Sequence, residues 1–228
     1  MEFIVQKLHP ALRPDQRLEV ANTRKVLHSA QGQWDSGCTL HCLAMAGALL
    51  GRLPDTRLVS WRRRGAGAAF WDRVWPFYLS GATMDELAEL VFELGWGLRP
   101  KVVEGTHRKV VAFCEEQLQG GHLVILSWRP ARSTHLHAVL AIGFEGRQSG
   151  RAFRPSTLLL LDPAEYEPWL ASSNARLTYR TETSGKYAMH GTYVTAYSRQ
   201  SIVVTGALSI QVPRDKRAAR KATAAAVV

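Results

Sequence analysis

The stretch Gln33-Trp34-Asp35-Ser36-Gly37-Cys38-Thr39-Leu40-His41-Cys42-Leu43-Ala44-Met45-Ala46-Gly47-Ala48-Leu49-Leu50 sets the reading of the chain. A turn-forming Asp-Ser-Gly leads directly into Cys38 and then into an unbroken apolar run, which predicts a buried helix with Cys38 in its first turn. Cys38, Cys42, Met45 and Leu49 fall on one face, and Leu40, Leu43, Ala44 and Leu50 cover most of the rest. Such a helix belongs in the middle of a domain. Unpaired backbone N–H groups and the positive end of the helix dipole favour a thiolate at Cys38, the form that attacks electrophiles. The plainer reading is a small buried residue, since free Cys is most often core. Cys42 lies one turn deeper and reads as packing.

At 228 residues, with 46% hydrophobic and 21% charged residues, the chain fits one globular domain with terminal extensions. No apolar run is long enough for a membrane span, and Met1 to Pro10 lacks a signal-peptide core, so a cytoplasmic location is the default, with export by a machinery that reads no N-terminal signal left open. Three cysteines without regular spacing argue against a disulfide framework. Cys38, His41 and Cys42 do not follow zinc spacings, so no metal and no cofactor are expected. The net charge of +10 allows a nucleic-acid partner. Its scatter, with excesses only at Arg62-Arg63-Arg64 and from Arg214 to Lys221, favours a solvated surface and tail.

Residues 1–32 read as an N-terminal arm. Residues 51–82 are rich in Trp and Arg, and Gly65-Ala66-Gly67 suggests a mobile loop. Thr83 and Glu86 make a capping box for a helix that Gly95 ends. A strand through Lys101 to Val103 precedes a second helix from about Thr106 to Gln119, whose inward stripe of Val110, Cys114 and Leu118 makes Cys114 structural. Beyond Gly121 the runs 122–128, 136–143 and 157–162 read as strands of a buried sheet, and more β-type sequence follows to Val212. A helical front half and a β rear half predict an α+β fold: a central buried helix carrying Cys38, packed on an antiparallel sheet. From Pro213 onward a disordered basic tail is expected, which makes 33–212 the folded domain.

A nucleophile needs a base. His137 begins an apolar strand and Asp162 ends the next one, so antiparallel neighbours would set carboxylate beside imidazole. His135 points to the same face and is the rival base.

Gln33, Asp-Ser-Gly-Cys38 with Leu43-Ala44-Met45, the Met-Asp-Glu-Leu-Ala-Glu-Leu helix, Gly-Gly-His-Leu-Val-Ile-Leu, His137-Ala-Val-Leu-Ala-Ile-Gly and Leu-Leu-Asp162-Pro163 follow one another in an order that resembles the papain-like cysteine peptidases of the C39-like group. The likeness spans residues 33–163. It implies a papain-like fold, Cys38 as nucleophile, His137 as general acid/base and Asp162 as its orienter. It also implies an oxyanion hole made by the Gln33 side chain with the N–H of Cys38. The family places that Gln six residues before the Cys; here Gln33 stands five before and Gln31 seven. The family also reads Asp-Cys-Gly where Gly37 precedes Cys38, and the His-to-Asp interval is lengthened by 145–156, read as a hairpin excursion.

The function expected on these grounds is a cysteine peptidase, a thiol hydrolase that cleaves a peptide or isopeptide bond in a peptide or protein substrate through an acyl-enzyme. Two alternatives share the groove: acyl transfer of the transglutaminase or phytochelatin-synthase kind, and a non-catalytic peptide-binding module.

Overall fold

The computed structural model describes residues 1–33, 35–59, 64–180 and 186–213. Its centre is a closed barrel of six antiparallel strands. These are β6 (Leu123–Pro130), β7 (His137–Ser149), β8 (Ala152–Leu161), β9 (Ala175–Arg180), β10 (Tyr187–Thr195) and β11 (Arg199–Gln211). Around the barrel the order is β7-β6-β11-β10-β9-β8, and the pairing of β8 with β7 closes it. Closure leaves no free edge among these six strands.

Two strands extend the wall. β7 gives 137–141 to β6, and the same edge then passes at 143–149 to β1 (Glu2–Leu8). Likewise β11 leaves β10 after Ile202 and takes up β5 (Arg99–Glu104) from Gly206 onward. Short strands β2 (Leu12–Arg13), β3 (Glu19–Val20) and β4 (Lys25–Val26) make a separate small sheet. The segment 1–32 thus carries four strands, the first of them part of the main sheet. Register shifts interrupt β7 against β8 at Ala141/Gly143 and Glu145/Gly146, and β11 against β6 at Val204/Gly206. Such irregularities bend strands, and bending is what lets a sheet close on itself.

Four α-helices lie among the described residues: α1 (Cys38–Leu49), α2 (Ala66–Val74), α3 (Met84–Glu93) and α4 (His107–Gln119). The strands bury both faces, with period two. Leu123, Ile125, Leu140 and Ile142 join the core of α1, whereas Val124, Leu126, Val139 and Ala141 join that of α4. Helix α1 is apolar all round, and ten of its residues are buried. Cys42 and Cys114 are fully buried. Thr83 and Glu86 form the capping box of α3, and Gly95 takes a positive φ of 63° just beyond its end. No described helix is long and apolar enough to cross a membrane.

The expected α+β, papain-like architecture is overturned. The chain is mostly β, a closed barrel with added strands and short helices, and not a helical half laid on a sheet half. Apolar run length misled the reading: β7 and β8 continue past their buried portions through Glu145, Arg147 and Arg154, and polar residues there carry no periodic apolar signal. Pairing across the β7/β8 hairpin, and then around to β9, β10 and β11, converts an apparent sheet into a closed wall. The Gly65-Ala66-Gly67 stretch is the start of α2, with Gly65 at its N-cap, and not a loop. Arg62, Arg63 and the basic segment 214–228 lie outside the described residues.

Gly143 pairs with Leu8 of β1, and a Cβ there would lie 2.2 Å from the Lys7 carbonyl oxygen. Gly143→Ala is expected to destabilise the fold by roughly 1–3 kcal/mol through backbone displacement. Urea unfolding monitored by Trp fluorescence measures it; an unchanged midpoint would contradict the β1–β7 register.

Candidate active site

The site is assembled where β7 begins, β8 ends and α1 begins. In the β7–β8 ladder Leu140 pairs with Leu161, so His137 and Asp162 both lie just past the end of that pairing, on the same side. His137 Nε2 lies 2.7 Å from Asp162 Oδ1. Cys38 lies beside the same imidazole, close enough for its side chain to help raise the His137 pKa. With Nε2 committed to Asp162, Nδ1 is the ring nitrogen available to Cys38. It is His137, and not His135, whose ring meets the carboxylate. His135 stands exposed on the rim, its backbone N–H donating to Ser133 Oγ at 3.1 Å.

Burial by itself would lower the His137 pKa. The hydrogen bond to Asp162, the neighbouring Cys38 side chain and the charges on both outweigh it and bring the value to about 9. Burial by itself would raise the Asp162 pKa; hydrogen bonding to His137 and the imidazolium charge, with Tyr193 and the Ala164 N–H, hold it below the ordinary value. The pair therefore favours imidazolium and carboxylate at neutral pH. In stability, the raised His137 contribution is complete below 6.5 and is lost as pH rises through about 9. The depressed Asp162 contribution is complete above 3.8 and is lost as pH falls through its lowered value.

Asp162 is itself held firmly. Tyr193, on β10 and fully buried, donates its hydroxyl to Asp162 Oδ2 at 2.5 Å, and the Ala164 N–H donates to Oδ1 at 2.8 Å. Asn174 clamps the Asp162 backbone from both sides: its Oδ1 accepts from the Asp162 N–H at 2.7 Å, and its Nδ2 donates to the Asp162 carbonyl at 2.8 Å. Trp128, paired with His137 across β6 and β7, places its ring edge-on to the imidazole at 5.4 Å and tilted against Tyr193 at 4.5 Å. The imidazole is thereby fixed by a carboxylate on one side and an indole beside it.

Cys38 is the first residue of α1, behind the N-cap Gly37, which offers no side-chain cap. The turn before it is organised by Asp35, whose side chain is only 2% exposed. Its Oδ2 accepts from the Gly32 N–H at 2.6 Å and from the Tyr78 hydroxyl at 3.2 Å, and its Oδ1 accepts from the Gly37 N–H at 2.9 Å. His41 Nε2 stands 3.8 Å from Asp35 Oδ2, while its Nδ1 meets Ser29 Oγ at 2.9 Å. Burial lowers the His41 pKa, against the pull of Asp35, so this ring is neutral at pH 7. Cys42 lies beneath, its thiol pKa pushed well up by burial, by Cys38 and by Asp162.

Gln31 and Gln33 both border Cys38, in a cavity of about 450 Å³. The Gln31 side chain donates through Nε2 to the Asp35 carbonyl at 2.7 Å, and its backbone N–H donates to the Pro163 carbonyl at 2.7 Å, tying the Cys38 loop to the Asp162 loop. Gln33 sits exposed on the rim of the same cavity. A second lobe of about 660 Å³ opens on the other side of Cys38 and His137, toward 80–84, Glu104 and Gly206. Among the described residues no three His, Cys, Asp or Glu side chains come together to hold a metal ion.

A comparison with protein-family models and one with curated proteins find no match to this chain. The reading of the site therefore rests on its geometry.

Cys38, His137 and Asp162, named from sequence, are brought together. Tyr193, Asn174 and Trp128 were missed, and nothing near positions 128, 174 or 193 in the sequence points to position 162. Asp35 left a signal: an Asp two residues before a Gly in a turn is positioned to accept the i+2 N–H.

Two outcomes are expected. In Asp162→Asn, the His137 titration followed by imidazole NMR should move down from about 9 toward or below 6.5; an unmoved midpoint would show that the carboxylate does not set it. Asp35→Asn leaves one oxygen where two backbone N–H groups need separate acceptors. It should lower stability by about 2 kcal/mol in denaturant titration and slow Cys38 alkylation.

Proposed function

We propose that the protein is a thiol hydrolase acting on a peptide or isopeptide carbonyl through Cys38, His137 and Asp162. The observation that carries this reading is a single imidazole hydrogen-bonded to Asp162 at 2.7 Å and standing beside a cysteine at the start of a helix, in an open cleft. The likeness to C39-like peptidases enters here only through this triad chemistry, since its fold does not apply.

In this scheme the Cys38 thiolate adds to the carbonyl carbon, and the oxyanion is met by the uncapped N-terminus of α1, with Gln33 as the candidate side-chain donor. The His137 imidazolium protonates the leaving amine as the tetrahedral adduct collapses to a thioester. A water, deprotonated by His137, then attacks the thioester and releases the acid and the free thiol. Asp162, held by Tyr193, Ala164 and Asn174, keeps the ring oriented and supports its charge. The two lobes meeting at Cys38 also favour a second reading, acyl transfer, in which an amine occupies one lobe in place of water.

The test is the rate of iodoacetamide alkylation at each cysteine against pH, read by peptide mass spectrometry. Cys38 should react rapidly well below the ordinary thiol pKa of about 8.5, while Cys42 and Cys114 stay unmodified. His137→Ala should slow Cys38 at least tenfold at pH 6. If Cys38 ignores the loss of His137, the triad reading fails and a non-catalytic groove takes its place.

A further inference from the structure

Two hydrogen bonds tie residues 28–31 to the loop that follows Asp162. One runs from the Gln31 N–H to the Pro163 carbonyl. The other comes from a side chain: His28 Nε2 lies 3.1 Å from the Glu165 carbonyl oxygen. A carbonyl only accepts, so the proton of the neutral ring sits on Nε2 and Nδ1 is bare. Glu165 closes the turn that Asp162 opens, its N–H donating to the Asp162 carbonyl at 3.3 Å. His28 therefore holds the turn of Asp162 from a segment that runs on through Gln31 to Cys38.

His28 is only 7% exposed, and its Nδ1 is buried with no hydrogen-bond partner among the described residues. The charged and titratable groups that face it are Glu167 and Asp162 from the loop across and His41 from α1. Neither carboxylate is free to turn to it. The Arg17 guanidinium takes both oxygens of Glu167, and His137, Ala164 and Tyr193 take those of Asp162. His41 differs: its Nδ1 meets Ser29 Oγ and its Nε2 has Asp35 Oδ2 at 3.8 Å, so a second proton on that ring finds an acceptor. A second proton on His28 finds none. Burial accordingly holds the His28 pKa below 6.5, against the pull of the Glu165 carbonyl, Glu167 and Asp162. Its contribution to stability is complete above 6.5 and is lost as pH falls through the lowered value.

We propose that His28 is a positioning residue for Cys38, His137 and Asp162: as a neutral ring it latches the two banks of the cleft together, and on protonation it lets them part. The proposal rests on the thiol hydrolase reading, since it concerns the alignment of that reading's nucleophile and base. A charged ring has to reach water, and leaving its pocket breaks the bond to Glu165. The Asp162 turn then loses its hold on the segment leading to Cys38. The barrel, whose strand pairings do not involve His28, stays closed.

Two curves against pH test this: the rate of Cys38 alkylation by iodoacetamide, and the far-ultraviolet circular dichroism of the same samples. In the wild type Cys38 should lose its reactivity on the acid side while the dichroism is still native, at the pH where the His28 ring titrates by NMR. His28→Gln keeps an N–H for the Glu165 carbonyl and cannot take up a proton. With each profile scaled to its own value at pH 7, this variant should react at least about threefold faster than wild type a pH unit below the wild-type midpoint. His28→Leu fills the pocket but removes the bond, and should slow Cys38 severalfold at pH 7 with native dichroism. If reactivity and dichroism fail together in the wild type, or if His28→Gln leaves the acid limb where it was, the latch is overturned, and rapid alkylation at pH 7 leaves the triad standing. If wild-type Cys38 reacts no faster than glutathione at pH 7, the triad reading falls and takes the latch with it.

Discussion

Closure of β8 onto β7 is the constraint on which the rest depends. It satisfies the edges of the barrel and, in the same act, sets the end of one strand beside the start of the other. The Asp162 carboxylate and the His137 imidazole are both largely removed from water, so each needs the other as partner. The register of β7 against β8, strands buried on both faces along 138–142 and 158–161, thereby becomes the registration of two charged groups to hydrogen-bonding distance.

Around that contact the protein invests in rigidity more than in area. Asp162 is engaged at both carboxylate oxygens and at both backbone groups, by Tyr193 from β10, by Ala164 next to it in the loop and by Asn174 from the segment leading into β9. On the opposite bank, Asp35 gathers the N–H groups of Gly32 and Gly37 and the hydroxyl of Tyr78, so the chain enters α1 at a fixed angle. The Gln31 N–H to Pro163 carbonyl bond joins the banks. Cys38 and His137 are positioned by two separate acidic anchors linked through the backbone, an arrangement suited to holding reacting groups in place without relying on substrate.

The sequence made legible what is written locally. Cys38 follows a turn and opens an apolar run, His137 starts an apolar strand, and Asp162 precedes Pro163; each is a boundary that composition marks. The capping box at Thr83 and Glu86 and the burial of Cys42 and Cys114 were visible for the same reason. The architecture was not. Whether β7 ends at Gly143 or runs to Ser149 depends on β1 and β8, and whether the sheet closes depends on pairings from β6 to β11. No window of residues contains those relations. Tyr193 shows the limit well: its neighbours read as an ordinary strand, and only the closed barrel brings its hydroxyl to Asp162.

The pairing of β1 with β7 has a consequence for how the chain folds. Gln6 meets Glu145, 139 positions later, so β1 waits through all of that synthesis before its partner exists. Contacts of such sequence separation are made late and slowly, because a long loop must be closed before any of their energy is returned. Nascent Glu2–Leu8, with Phe3, Ile4 and Val5 unpaired, is therefore an adhesive segment throughout synthesis, exposed to other chains until β7 arrives to cover one edge.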